Sequence, residues 1–284
     1  MPLPLLADLP LHLVWLNSIL CAAFALSLLV GICGILYRRI HRDTLLPPLP
    51  FYAESSFPTR WDAAYTVLFL LFFAGSSLDS GSESPDAEQT QLSGGVVFIS
   101  ILLTGMTYLP MALRLLLLPA TRRARTWVHS LLRDVKLALL AVLAVIAAAF
   151  LYEQSGLEQF IIDSTDCPRY QWIVREFMDG DLSSKVLLAI GAIVIAPIGE
   201  ECCFRGFLYG TLRKYAGPVW ACICSSLVFA AVHMAMASLL PLVIFAVAQC
   251  IIYEKTRSLR APIMMHALFN TLELIIVLFL PPHV

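Results

Sequence analysis

Residues 215–253 read YAGPVWACICSSLVFAAVHMAMASLLPLVIFAVAQCIIY, 39 positions without an Asp, Glu, Lys or Arg. As one helix this run would measure about 58 Å at 1.5 Å per residue. That is nearly twice a hydrocarbon core of roughly 30 Å. Pro241 stands where a break is needed, because proline lacks a backbone donor and clashes with the preceding turn. The run is therefore read as two membrane spans joined by a tight turn.

Working outward, Leu13 to Tyr37 and Gln89 to Leu113 are equally free of charge. The whole chain is 59% apolar and 14% charged, against about 45–50% and 25% in soluble domains. These values exclude a secreted disulfide scaffold, a disordered chain and a soluble nucleic-acid binder. The fold class expected is all-α, a polytopic transmembrane bundle of about eight spans. They fall at about 12–37, 61–78, 94–118, 136–153, 184–212, 217–236, 239–254 and 261–280. No Lys or Arg precedes Arg38, so the first run reads as a retained anchor and not as a cleaved signal. Of the eight cysteines, seven fall inside expected spans, where a thiol packs as a small apolar group.

Alternating the loops sorts the basic residues. Arg38, Arg39, Arg42, Arg60, Arg122, Arg123, Arg125, Arg133, Lys136, Arg213, Lys214, Lys255, Arg257 and Arg260 fall on one side, and only Arg169, Arg175 and Lys185 on the other. Lys and Arg collect in cytoplasmic loops, which puts both termini outside the cytoplasm. The compact length suits a prokaryotic plasma membrane.

A charge at membrane depth is costly and marks function by default. The first 180 residues offer almost none. The last hundred carry Glu200, Glu201 and Arg205 on the fifth span, His233 on the sixth, and His266, Asn270 and Glu273 on the eighth. Glu201 and Arg205 are i, i+4 neighbours and can pair on one helix face. Glu200 lies about 140° from Arg205, unpaired within its own helix and suited to act as a general base. Pro197 and Gly199 precede the acidic pair and can loosen the helix there. Tyr108, Pro110 and Arg114 read as a kinked helix reaching the cytoplasmic interface.

These residues carry a family resemblance. Glu200-Glu201-Cys202-Cys203-Phe204-Arg205 resembles the EExxxR motif of the CPBP family, the intramembrane proteases that include type II CAAX prenyl endopeptidases. Phe229 to His233 resembles its FxxxH motif, and His266 to Asn270 its HxxxN motif. The division this implies is an N-terminal four-span region, 1–183, and a CPBP-like catalytic core of four spans, 184–284. The resemblance implies a glutamate-dependent endopeptidase. Glu200 would activate water, His233 would position it, and His266 and Asn270 would stabilise the oxyanion, with Glu201 and Arg205 as the supporting pair. Partners would be the lipid bilayer and a membrane-anchored protein or peptide substrate, with no nucleic acid. No cofactor is expected. Zinc is the chemical alternative, since two glutamates and two histidines can ligate it, but no H-E-x-x-H occurs and Arg205 beside Glu201 disfavours a cation. The competing functional reading is a non-catalytic scaffold or a proton- or ion-coupled transporter using the same cluster. A relay needs ionisable groups strung across the membrane, and these sit on three nearby spans.

Overall fold

The computed structural model describes residues 97, 98, 105, 108 and 109 and, save for 166, 168, 170, 171 and 234, residues 127–279. The described residues are helical, with no strand among them. Seven helices follow in order after residue 126. They are α1 (Trp127–Gln154), α2 (Leu157–Thr165), α3 (Trp172–Asp179), α4 (Leu182–Ala216), α5 (Pro218–Val232), α6 (Leu239–Thr256) and α7 (Arg260–Phe279). Four are long and apolar enough to cross a membrane: α1 over Leu131–Gln154, α4, α6 and α7. The spans expected at 12–37 and 61–78, and nearly all of 94–118, lie outside the described residues.

Two expectations are corrected. The sixth span, expected at 217–236, is only 15 residues long, Pro218–Val232, which is short of the roughly 20 needed to cross. Its helix ends at His233, and a bend and turn follow at 236–238 before α6 begins. Pro241 does not make that break. It sits in the first turn of α6, where a missing backbone N–H costs nothing.

Local chemistry sets the boundaries. Asp181 caps α4, its carboxylate accepting from the Ser184 amide at 2.8 Å and the Ser183 hydroxyl at 2.7 Å. Those bonds lower its pKa from 3.8 to about 2. Gly217, at φ 87°, ends α4 in a conformation that favours glycine, and Pro218 opens α5 at the first position.

α4 is 35 residues long, about 52 Å, and is not uniform. It is α-helical except over Gly191–Ile195 and Cys202–Tyr209, which wind as π-helix. The first of these has a cause in sequence. Pro197 has no N–H, and the Ala196 amide donates five residues back to the Gly191 carbonyl. The Ala192 carbonyl is thereby deprived of both its α and its π donor.

The core is shared by five helices. Val142 and Val145 of α1, Cys203, Phe204 and Phe207 of α4, Phe229 of α5, Phe245 and Tyr253 of α6 and Met265 of α7 are buried together. α5 packs along α6, and both α6 and α7 pack on α1. Among the described residues, three of the basic residues assigned to one side of the membrane meet at one end of this bundle. Arg260 pairs with the buried Asp134 at 3.0 Å, Arg133 donates to the Thr256 carbonyl at 3.0 Å, and Arg213 pairs with Glu254.

Candidate active site

The middle of α4 lies against α7, which brings the acidic pair to the histidine and asparagine of the last helix. Gly199, one residue before that pair, faces the buried Tyr108 ring so closely that a Cβ at 199 would overlap it. Tyr108 thus sits beside the acidic pair, where only a glycine leaves room for its ring.

Glu201 and Arg205 form the pair expected from their spacing, with Nη1 to Oε1 at 3.1 Å and side chains 0% and 1% exposed. Arg205 is held further by the Ala246 carbonyl at 3.3 Å and by Gln249 Oε1 of α6. Its guanidinium lies 4.7 Å from the centroid of the Phe229 ring, a cation–π arrangement. Glu201 Oε1 also accepts from Gln249 Nε2 at 2.7 Å and lies 2.9 Å from His266 Nδ1. Gln249, fully buried, went unread in the sequence. The signal available was a lone amide in an otherwise apolar span.

The proton positions on both histidines follow from their partners. His233 Nδ1 lies 2.6 Å from the Phe229 carbonyl, which can only accept, so Nδ1 carries hydrogen. His266 Nδ1 faces a carboxylate already paired with Arg205, so it too donates. An imidazole whose one hydrogen sits on Nδ1 presents an Nε2 lone pair. Both Nε2 atoms converge on one atom, Glu200 Oε2, at 3.8 Å from His233 and 3.9 Å from His266. Glu200 is 7% exposed, and Oε2 accepts no hydrogen bond among the described residues. Three acceptors facing one another call for a proton or a bridging group between them, and a contact beyond 3.5 Å leaves room for one.

Aromatic rings wall this point. Phe229 stacks 4.5 Å from His233, and Phe245 meets His266 edge-on at 5.1 Å. The phenylalanine of the FxxxH pattern therefore has three uses: its carbonyl fixes His233, its ring packs that imidazole, and its face receives Arg205.

The structure gathers Glu200, Glu201, Arg205, His233 and His266 around one point. It turns Asn270 elsewhere. The Asn270 amide donates at 2.7 Å to the Ala192 carbonyl, the acceptor stranded by the π-turn and Pro197. Among the described residues, no group of three or more His, Cys, Asp or Glu has a metal-holding arrangement.

Residues 182–272 match the family described as Rce1-like, type II CAAX prenyl endopeptidase. Over 89 residues the chain is 29% identical to "Putative membrane peptidase YdiL" of Bacillus subtilis, covering 31% of this chain and 36% of that protein. Over 113 residues it is 28% identical to "Uncharacterized 24.3 kDa protein" of Escherichia coli, covering 38% of this chain and 52% of that protein. The matched segment thus spans between about a third and a half of these curated relatives. No solved structure matches the chain. The resemblance read from three motifs stands: residues 182–272, which hold all six candidate side chains, match the Rce1-like family within a multi-pass integral membrane protein.

Proposed function

We propose that this protein is an intramembrane endopeptidase that hydrolyses a peptide bond in a membrane-anchored protein or peptide through a water activated by Glu200. The observation that supports the reading is the approach of both histidine Nε2 atoms to Glu200 Oε2. A water held there donates one hydrogen to Glu200 and the other to His233 Nε2. As its oxygen attacks the carbonyl carbon, its proton passes to Glu200. Glu200 then returns that proton to the leaving amine as the carbon–nitrogen bond breaks, leaving a carboxylic acid and an amine.

The developing oxyanion needs donors, and His266 supplies one from Nε2 when protonated. Glu201, paired with Arg205, accepts from Nδ1 of that imidazolium. The second amide hydrogen of Asn270 is the other candidate, the first being used on Ala192. Losing one such donor costs about 10²–10³ in rate. In a cell, Glu200→Gln leads to accumulation of a membrane protein that the wild type cleaves. An unchanged membrane proteome in that variant would sink the reading.

Zinc is the second reading, because two imidazole nitrogens and a carboxylate oxygen form a donor set it accepts. Bonds of 2.0–2.1 Å in a tetrahedron would set the ligand atoms about 3.4 Å apart. The observed separations of 3.8 and 3.9 Å are longer than that, and no group of three or more His, Cys, Asp or Glu among the described residues has a metal-holding arrangement. Turnover should therefore survive prolonged chelation. Activity lost to chelator and restored by zinc would establish the metallopeptidase instead.

A further inference from the structure

We propose that Gln249 is a positioning residue for the reaction, which holds Glu201 on His266 and so keeps the imidazole Nε2 turned toward Glu200. The proposal rests on the reading above for its effect on turnover, but the contact itself does not.

Glu201 directs three donors to a single oxygen. Oε1 receives Arg205 Nη1 at 3.1 Å, His266 Nδ1 at 2.9 Å and Gln249 Nε2 at 2.7 Å, while Oε2 is buried and accepts nothing from the described residues. A carboxylate left to itself spreads its donors over both oxygens. Here the Gln249 bond is the shortest of the three and comes from α6, a different helix from the ion pair on α4 and the histidine on α7. Gln249 also accepts from Arg205 Nη2. Glu201, Arg205 and Gln249 therefore close a hydrogen-bonded ring.

The chemistry of position 249 is restrictive. The side chain must donate to a carboxylate and accept from a guanidinium at once, with no net charge. A primary amide does both. A carboxylate there would accept from Arg205 but oppose Glu201, an ammonium would do the reverse, and an apolar chain would leave both groups short of a partner. Gln249 is fully buried in the core, so water cannot replace it. Without its bond, Glu201 is free to rotate about its last torsion, and His266 Nδ1 loses a fixed acceptor.

The test reads the imidazole and needs no substrate. The full-length protein, labelled with nitrogen-15 at histidine, is examined in detergent micelles, and His266 is assigned from its loss in His266→Ala. In the wild type, His266 shows a protected Nδ1 proton and a single tautomer. In Gln249→Met, that proton should exchange at least tenfold faster, or the Nε2–H tautomer should appear. Gln249→Glu keeps the oxygen for Arg205 and lacks the donor for Glu201, so it should show the same loss. A variant that melts cooperatively yet keeps the wild-type His266 signature overturns the proposal, whatever happens to its melting temperature. If neither variant folds, Gln249 is a structural residue and the proposal also fails. Failure of the peptidase reading would show in Glu200→Gln, which leaves the His266 signature in place.

Discussion

Replacing Glu201 with Gln tests the division of labour between two adjacent carboxylates. Glu201 is fully buried and accepts from Arg205, Gln249 and His266. Arg205 is buried as well and pairs with no other carboxylate among the described residues. A glutamine keeps one acceptor oxygen but removes the charge, leaving a guanidinium in the core held only by neutral partners. Breaking a buried pair in this way costs about 3–5 kcal/mol. At about 2–4 °C per kcal/mol for a chain of this size, Glu201→Gln should melt about 6–20 °C below the wild type in detergent. Glu200→Gln removes a carboxylate whose Oε2 accepts no hydrogen bond from the described protein, so its change should stay within about 1 kcal/mol. Both variants should lose turnover, one through the reacting group and one through its support. Thermal melts of the two variants side by side decide the matter. If Glu200→Gln is the destabilised protein and Glu201→Gln melts like the wild type, the roles are reversed.

Two further outcomes follow from the geometry. Gly199→Ala places a Cβ inside the Tyr108 ring, an overpacking that should cost about 1–3 kcal/mol. Combining it with Tyr108→Ala should recover part of that loss in a melting experiment, and strictly additive effects would refute the contact. At the start of α4, Asp181 has its folded pKa lowered from 3.8 to about 2, so its stabilising contribution is present above 3.8 and fades as the pH falls through about 2. The melting-temperature gap between wild type and Asp181→Asn should therefore be open at pH 5 and narrow toward pH 2, and a gap independent of pH would refute the cap.

Much of the site was legible because it is local. The Glu201–Arg205 pair follows from i, i+4 spacing, and Phe229 with His233 from the same rule. The meeting of α4, α5 and α7 was implied by the resemblance and needed no contact prediction. What stayed hidden depends on tertiary placement or on irregular backbone. Gln249 acquires meaning only when α6 brings it between two charges of α4. The partner of Asn270 exists only because a π-turn strands the Ala192 carbonyl, and hydrophobic periodicity carries no trace of that. Pro241 misled for a related reason. A proline marks a helix start as readily as a helix break, and the sequence alone does not say which side of it the turn lies on. Between α1 and α4, hydrophobic periodicity over a helix as short as α3 gives no warning that Phe177 packs against Leu188 of α4.

The π-turn at Gly191–Ile195 shifts the phase of α4 just ahead of the acidic pair. One extra residue in a turn rotates everything after it by about 100° relative to an unbroken helix. The segment before the turn can thus present its side chains to one set of neighbours, while the segment after it aims Glu200 and Glu201 independently. Removing a single residue from 191–195 would swing both glutamates by about 100° off the histidines. Length in this stretch is accordingly constrained more tightly than composition: substitutions among Ala192, Ile193 and Val194 should be tolerated where a one-residue deletion is not.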